Sequence, residues 1–443
     1  MNKQSKNTQR THRKLDGRKS EGEKLSPIAL RLLQITDVLG QVLKFNYPAD
    51  AVLSKWFREH RQLGGRDRGE VAEAVFDVLR HLRRYRQYAE SGVGAANRRL
   101  AILGLVATLG ESTVSAVIEV DEKEWLERVL KIDNDTLNPA IRFSVPEWLF
   151  TELSKQENAS ALMNALNAKA PLDIRVNPLK GNREEVLATL EKQEPKLAMN
   201  PTPWSPFGIR FVDKPALNRW SLFEKGVIEV QDEGSQLLCM LVSPRRSDMV
   251  IDFCAGAGGK TLLLGAMMRS QGRLYAFDVS GARLAKAKPR IARSGLSNVT
   301  CIQLNNENDV HVKRLAGKAQ RVLVDAPCSG MGTLRRNPDL KWRQTPEDLV
   351  ELRELQTRIL NSAARCVAPG GRLIYSTCSL LPQENEEQIH AFLAKHPDFV
   401  LIPFEQVLGD RNPGLHSDDG MLHLRPDVHG TDGFFAAVLE RQS

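Results

Sequence analysis

The chain has 443 residues, 42% of them hydrophobic, with 62 Lys and Arg against 54 Asp and Glu, a formal charge of +8. That length accommodates two or three domains with real cores, and the composition reads as soluble and globular rather than unfolded. No apolar run reaches the ~18 residues of a membrane span, and the longest candidate, 100–110, is too short.

The first 24 residues hold eight Lys or Arg against three Asp or Glu. They lack a secretory apolar stretch and read as a disordered basic tail, either solvated or an arm that seeks phosphates. Residues 25–140 read as a helical domain of about five helices. In "RDRGEVAEAVFDVLRHLRRY", Val71, Val75, Val78, Leu79 and Leu82 share one face at helical spacing. Segments 28–43, 49–60, 95–109 and 112–130 behave alike, and "GVGAAN" breaks the pattern. Arg80, Arg83, Arg84, Arg86, Arg98 and Arg99 offer either an ordinary exposed helix face or an RNA-facing one. Residues 141–240 are punctuated by eight prolines and contain short strand-like runs, "DIRVN" and "GIRFV". They suggest a small α/β domain with a linker. From 241 to 443 strand-like runs ("DMVIDF", "GRLYAFDV", "NVTCIQL", "RVLVDA", "GGRLIYSTC", "GFFAAVLER") alternate with helical stretches. The fold class expected is therefore α/β, with a Rossmann-like, mostly parallel sheet, a small α/β domain and an N-terminal all-α domain.

The six cysteines (239, 254, 301, 328, 366, 378) show no C-x-x-C spacing, and nine histidines are scattered. A reducing cytoplasm and no metal are expected.

"VIDFCAGAGGKTLLL" sets a glycine turn between the first strand of this domain and its helix. It fails the P-loop pattern because Cys254 stands where the first glycine belongs. It fails the dinucleotide fingerprint because Thr261 stands at the last position. What remains is a turn, Cys254, Ala255, Gly256, Ala257, Gly258, Gly259 and Lys260, that lets backbone approach an adenosine-bearing ligand. Asp278, ending the next strand, is placed to accept ribose hydroxyls. Without a full phosphate cradle, S-adenosyl-L-methionine suits this site better than NAD or ATP.

Two thiols, Cys328 in "DAPC" and Cys378 in "STC", follow strands whose ends border that crevice. A small buried hydrophobe is the ordinary role of a cysteine, and Cys239, Cys301 and Cys366 fit it. The chemistry that wants thiols beside a methyl donor is methylation at a pyrimidine carbon. A thiolate adding to C6 of cytosine makes C5 nucleophilic, an acid at the N3/N4 edge relieves the charge, and a second thiol serves release. Asp325 is placed for the acid role.

These residues carry a resemblance. "DFCAGAGGKT", "VLVDAPCSGMGTLRRNPDLKW", "GGRLIYSTCSLLPQENEEQI" and "TDGFFAAVLER" resemble the RNA cytosine-5 methyltransferases of the Nol1/Nop2/Sun (Fmu) family. "RVNPLK" and "VQDEGSQ" resemble its small domain and linker. "LGGRDRGEVAEAVFDVLR" resembles the NusB-like domain of its bacterial branch, the small-subunit ribosomal RNA methyltransferase B type. The resemblance implies Cys378 as nucleophile and Cys328 as the thiol that assists release. It also implies the donor loop Cys254 to Lys260, Asp278 on the ribose, and Asp325 near cofactor and base, with Lys260 reaching toward a flipped base. Two departures stand out. The usual Ala-Ala-Pro-Gly-Gly-Lys loop lacks its proline here, and the usual Asp on the adenine amine is replaced by Asn305 or Asn306, of which Asn306 is the candidate.

The loop "GTLRRNPDLKWR" brings Arg335, Arg336, Lys341 and Arg343 near the site, where they are expected to hold phosphates, and Trp342 to stack or to pack. The expected substrate is RNA, 16S ribosomal RNA in the first place, with transfer RNA as the alternative within the class; the protein is expected to be a monomer. A catalytically silent RNA-binding assembly factor would need neither thiol nor Asp325. A DNA cytosine methyltransferase would need a recognition insert that the catalytic region lacks.

Overall fold

The computed structural model describes residues 25–409 and 414–443; the basic tail of residues 1–24 lies outside them. Helices Pro27–Val42, Ala49–Glu59, Gly65–Arg80, Leu82–Ala89, Ala96–Leu109, Glu111–Ser115 and Val120–Leu130 form the N-terminal domain. Val71, Val75, Val78, Leu79 and Leu82 are all fully buried in its core, as their spacing requires. The segment expected as one helix over 112–130 is two. A second start intervenes, where Glu119 and Glu122 form a reciprocal capping box for the helix from Val120. Helices 65–80 and 96–109 touch at Gly104, where a Cβ would stand 2.6 Å from the Ala74 carbonyl oxygen. Among the described residues no helix is long and apolar enough to cross a membrane.

Next comes a small antiparallel sheet, β1 (Leu172–Val176), β2 (Met199–Pro201), β3 (Gly208–Phe211) and β4 (Ile228–Val230), in the order β2-β3-β1-β4. Ile174, Val176, Ile209, Phe211 and Ile228 face its core, joined by Val186 and Leu190 of helix Arg183–Gln193.

The C-terminal sheet holds β5 (Met249–Asp252), β6 (Arg273–Asp278), β7 (Val299–Gln303), β8 (Ala319–Asp325), β9 (Val367–Thr377), β10 (Phe399–Ile402), β11 (Leu422–Leu424) and β12 (Phe434–Arg441). Its order is β10-β12-β9-β8-β5-β6-β7, with β11 also on β12. Strands β5 to β9 run parallel, and β12 is antiparallel to β9. Alternate residues enter two cores, as strand geometry dictates. Ile251, Val322, Val324, Leu373 and Tyr375 meet helix Pro346–Ala364 on one face. Val250, Leu323 and Ile374 meet helix Glu233–Val242 on the other.

Two helices cross the divisions expected at 140/141 and 240/241. Pro139–Arg142 straddles the first. Glu233–Val242 straddles the second, and its Leu237 to Val242 run belongs to the core of the large sheet. A further cluster joins Phe143, Leu149, Leu162 and Leu166 to Met331, Leu334 and Leu381. It braces the loops that leave β8 and β9, the two that carry Cys328 and Cys378.

Candidate active site

Strand order reverses between β5 and β8, so the carboxyl ends of these strands flank a crevice, the usual ligand position in such sheets. A cavity of about 860 Å³ lies there. The glycine turn after β5 forms its floor. Ala255 N–H donates to the Phe277 carbonyl at 2.8 Å, and Gly256 N–H donates to Asp278 Oδ2 at 2.8 Å. Gly256 has φ +57° and Gly258 has φ +82°, conformations that side chains oppose. A Cβ on Gly256 or Gly259 would meet no atom within 4 Å, so both open onto space. Cys254, Ala255, Gly256, Ala257, Gly259, Lys260, Asp278 and Asp325 line the cavity. Gly258 instead sits beneath, against Ala287, as the first residue of the turn into helix Gly259–Met267.

Asp252, the last residue of β5, lines the same wall. Its Oδ2 accepts the Thr261 hydroxyl at 2.6 Å, while its Oδ1 is buried without a partner. Burial pushes this carboxyl up to about 7, with Asp325 and Asp278 pushing the same way and the Thr261 hydrogen bond opposing. An open glycine floor, acidic strand ends, an unfilled buried acceptor and apolar walls from Val279, Leu304 and Ile359 fit an adenosine-bearing cation. Because an unfolded Asp ionises near pH 4, the raised value opposes folding progressively from there to pH 7, by at most roughly 4 kcal/mol. Asp252→Asn should therefore raise the melting temperature of the donor-free protein near pH 8. The gain should shrink as pH falls through 7 and vanish below about 4. Thermal unfolding across that range measures it.

Lys260 Nζ lies 2.7 Å from Asp325 Oδ2. Burial alone would lower its proton affinity, but the Asp325 charge and hydrogen bond outweigh it, and Lys260 is held as an ammonium. The Cys328 and Cys378 sulfurs stand 3.2 Å apart as free thiols, and the Cys378 N–H points at Cys328 Sγ at 3.3 Å. Both sulfurs line the cavity beside Asp325. The contact with Cys378, then burial, pushes the Cys328 thiol well up. Burial does the same to Cys254, aided by Asp325.

Gly332 was not singled out by its sequence, yet it joins the thiol loops. Its N–H donates to the Cys378 carbonyl at 2.8 Å, and its own carbonyl accepts the Gly433 N–H at 2.8 Å. A Cβ there would stand 2.1 Å from the Gly433 oxygen and 2.8 Å from the Cys378 oxygen. Gly332→Ala must displace the Cys378 loop, and turnover should fall about 100-fold, the scale of a misplacement near 1 Å. Single-turnover methyl transfer would show it; near-normal rates would mean that the loop tolerates the shift.

Three expectations need correction. Arg335 and Arg336 do not offer themselves to phosphates: both bond to Asp432, and Arg336 also to Asp232, beneath the surface. Lys341 is fully buried, donating to the Arg80 carbonyl and Asn167, while Arg343 pairs with Asp339. Of the two roles open to Trp342 the structure shows packing: it lies on the N-terminal core and donates to the Leu79 carbonyl at 2.8 Å. The physical reason is that packing consumes the loop's donors: Asp232 and Asp432 take Arg335 and Arg336, Asp339 takes Arg343, and the N-terminal helices take Lys341 and Trp342. The arginine face is likewise spent in part. Arg80 is buried, Arg83 binds the Val145 carbonyl and Glu147, and Arg98 holds Glu122. Third, the cavity wall after β7 is Leu304 and Glu307. Asn305 bonds to Asp309, and Asn306 accepts the Asn308 N–H. Away from the cavity, Glu386, Asp419 and His423 gather as a surface ion-paired group.

The sheet order, the glycine turn and the acidic strand ends together define a Rossmann-like, S-adenosyl-L-methionine-dependent methyltransferase. A family model described as 16S rRNA methyltransferase RsmB/F matches residues 239–440, and an RsmF/B-like, ferredoxin-like domain matches 145–217. The chain is 37% identical over 314 residues to a probable ribosomal RNA small subunit methyltransferase B of Synechocystis sp., covering 70% of each. It is 30% identical over 347 residues to the Bacillus subtilis protein of the same description, covering 75% of this chain and 74% of that one. Among solved structures, PH0851 superposes with a TM-score of 0.75 at 25% identity, over 95% of this chain and all of that one. A methyltransferase homolog protein from Pyrococcus horikoshii gives 0.58 at 28% identity, over 69% of this chain and all of that one. The chain belongs to the 16S rRNA methyltransferase RsmB/F family.

Proposed function

We propose that this chain methylates C5 of a cytosine in 16S ribosomal RNA through a covalent bond between Cys378 and C6 of the base. The observation that carries this reading is the convergence of two thiols, 3.2 Å apart, and the Lys260–Asp325 pair on one wall of the donor cavity. Methylation of an exocyclic nitrogen or a ribose hydroxyl needs no thiol, so two of them beside the donor favour ring-carbon chemistry.

The bound donor supplies an electrophilic methyl group on a sulfonium. Asp278 would hold its ribose hydroxyls, the turn from Cys254 to Lys260 would take its backbone contacts, and Asp252 would offer a lone pair to its cationic end. The Cys378 thiol gives its proton to solvent, and its sulfur adds as thiolate to C6 of a cytosine turned out of its stack. Charge moves toward N3, where the Lys260–Asp325 pair delivers a proton. C5, now enamine-like, attacks the methyl carbon as the C–S bond of the donor breaks. Cys328 is a thiol while the Cys378 charge is beside it. Once Cys378 is bonded to carbon, that repulsion is gone. Cys328 then yields its proton to solvent and takes the C5 proton. The C6–S bond breaks, its electrons return to Cys378, and the N3 proton returns to the Lys260–Asp325 pair.

The test is a nucleoside digest. Purified protein, labelled donor and unmethylated small-subunit RNA should place all enzyme-dependent label in 5-methylcytidine. Label in any other nucleoside would defeat the proposal.

A further inference from the structure

Glu384 ends the short turn Pro382–Glu384 and is fully buried. Its Oε1 accepts the Ser329 backbone N–H at 2.8 Å and the Gln356 amide at 2.9 Å. Its Oε2 faces the hydroxyls of Ser329 and Ser379, each at 2.5 Å. Ser329 follows Cys328 and Ser379 follows Cys378, and the two hydroxyls are 3.3 Å from one another. Gln356, on helix Pro346–Ala364, also donates to the carbonyl of Pro327, the residue before Cys328, at 3.0 Å.

All four partners of this carboxylate are neutral. A buried carboxylate is costly unless its lone pairs are filled. Here they are filled by groups from both thiol loops, so the loops separate only by stripping it. We propose that Glu384 is a positioning residue for both sulfurs, holding the Cys328 and Cys378 loops at the spacing that two-thiol chemistry requires. The inference rests on the two-thiol reading above and adds to it a residue that touches neither donor nor base.

Glu384→Gln keeps the shape, and the serine hydroxyls can turn to accept from its amide, so the tie survives. Glu384→Ala removes it. In the alanine variant, kcat should fall about 100-fold while KM for RNA and the donor Kd stay within about threefold. Iodoacetamide labelling of the donor-free full-length chain, read peptide by peptide, should speed up about fivefold or more at Cys328 and Cys378 relative to Cys301. The glutamine variant should recover to within about tenfold of the parent kcat and label at nearly the parent rate. An alanine variant with unchanged kcat and unchanged labelling overturns the proposal, as does a glutamine variant as impaired as the alanine one. Should the alanine variant fail to fold, Gln356→Leu cuts one arm of the same tie, and unaltered labelling there is equally fatal. Labelling needs neither RNA nor methyl transfer, so it reads the tie separately from the roles given to the two thiols.

Discussion

Cys378→Ala should abolish methylation, by roughly 10⁴–10⁶-fold, the scale of deleting a covalent nucleophile. It should also form no denaturant-resistant complex with RNA. Cys328→Ala should behave differently: it can still form the adduct and methylate C5, but it cannot remove the C5 proton efficiently. A covalent protein–RNA species should accumulate in the presence of donor, visible as a band shift on a denaturing gel. The structure gives the contrast its sharpness. The sulfurs are 3.2 Å apart and share one cavity wall, so neither variant moves the other thiol far. Exchanged phenotypes would reassign the two roles and keep the reaction class. Full activity with both thiols replaced by serine would end the covalent mechanism altogether.

Arg335→Ala should cost about 3–5 kcal/mol of stability, because it removes one member of a buried ionic group and leaves its partners behind. Arg335 is 5% exposed, and its guanidinium bonds to Asp432 at 2.6 Å and the Gly430 carbonyl at 2.9 Å. The side chains of Asp432 and Asp232 are both buried, and Arg335 and Arg336 are the cations that pair with them among the described residues. Burial, then the neighbouring Asp432 charge, already pushes the Asp232 carboxyl up to about 6. Denaturant unfolding of the variant measures the loss. An effect under about 1 kcal/mol would mean that water replaces the guanidinium and that the loop is a surface loop after all. The same substitution at a true phosphate contact would weaken RNA binding and leave the fold intact, so the two readings of this arginine separate cleanly.

Much of this protein was legible in one dimension because its signals are local. A period of 3.6 placed Val71, Val75 and Val78 in a helical core, and short β-rich runs marked β5 to β9 and β12, since backbone geometry repeats over a few residues. The donor turn was legible too, because a glycine with positive φ is a requirement of its own residue and not of distant ones. So were Asp278, Asp325 and the two thiols, which stand at the ends of strands that alternate with helices. Other features were decided only when distant segments met. The basic run from Arg335 to Arg343 reads as a phosphate-seeking loop; Asp432, Asp232 and the N-terminal helices, some one hundred to three hundred positions away, turned it into an interdomain joint. Nothing local in "PQENEEQI" marks Glu384 as buried. Burial of Glu384 between two thiol loops depends on Ser329 and Gln356, which no spacing ties to it. Charge in a sequence states what a side chain can do; whether water or protein occupies the other end of that hydrogen bond is settled by tertiary packing.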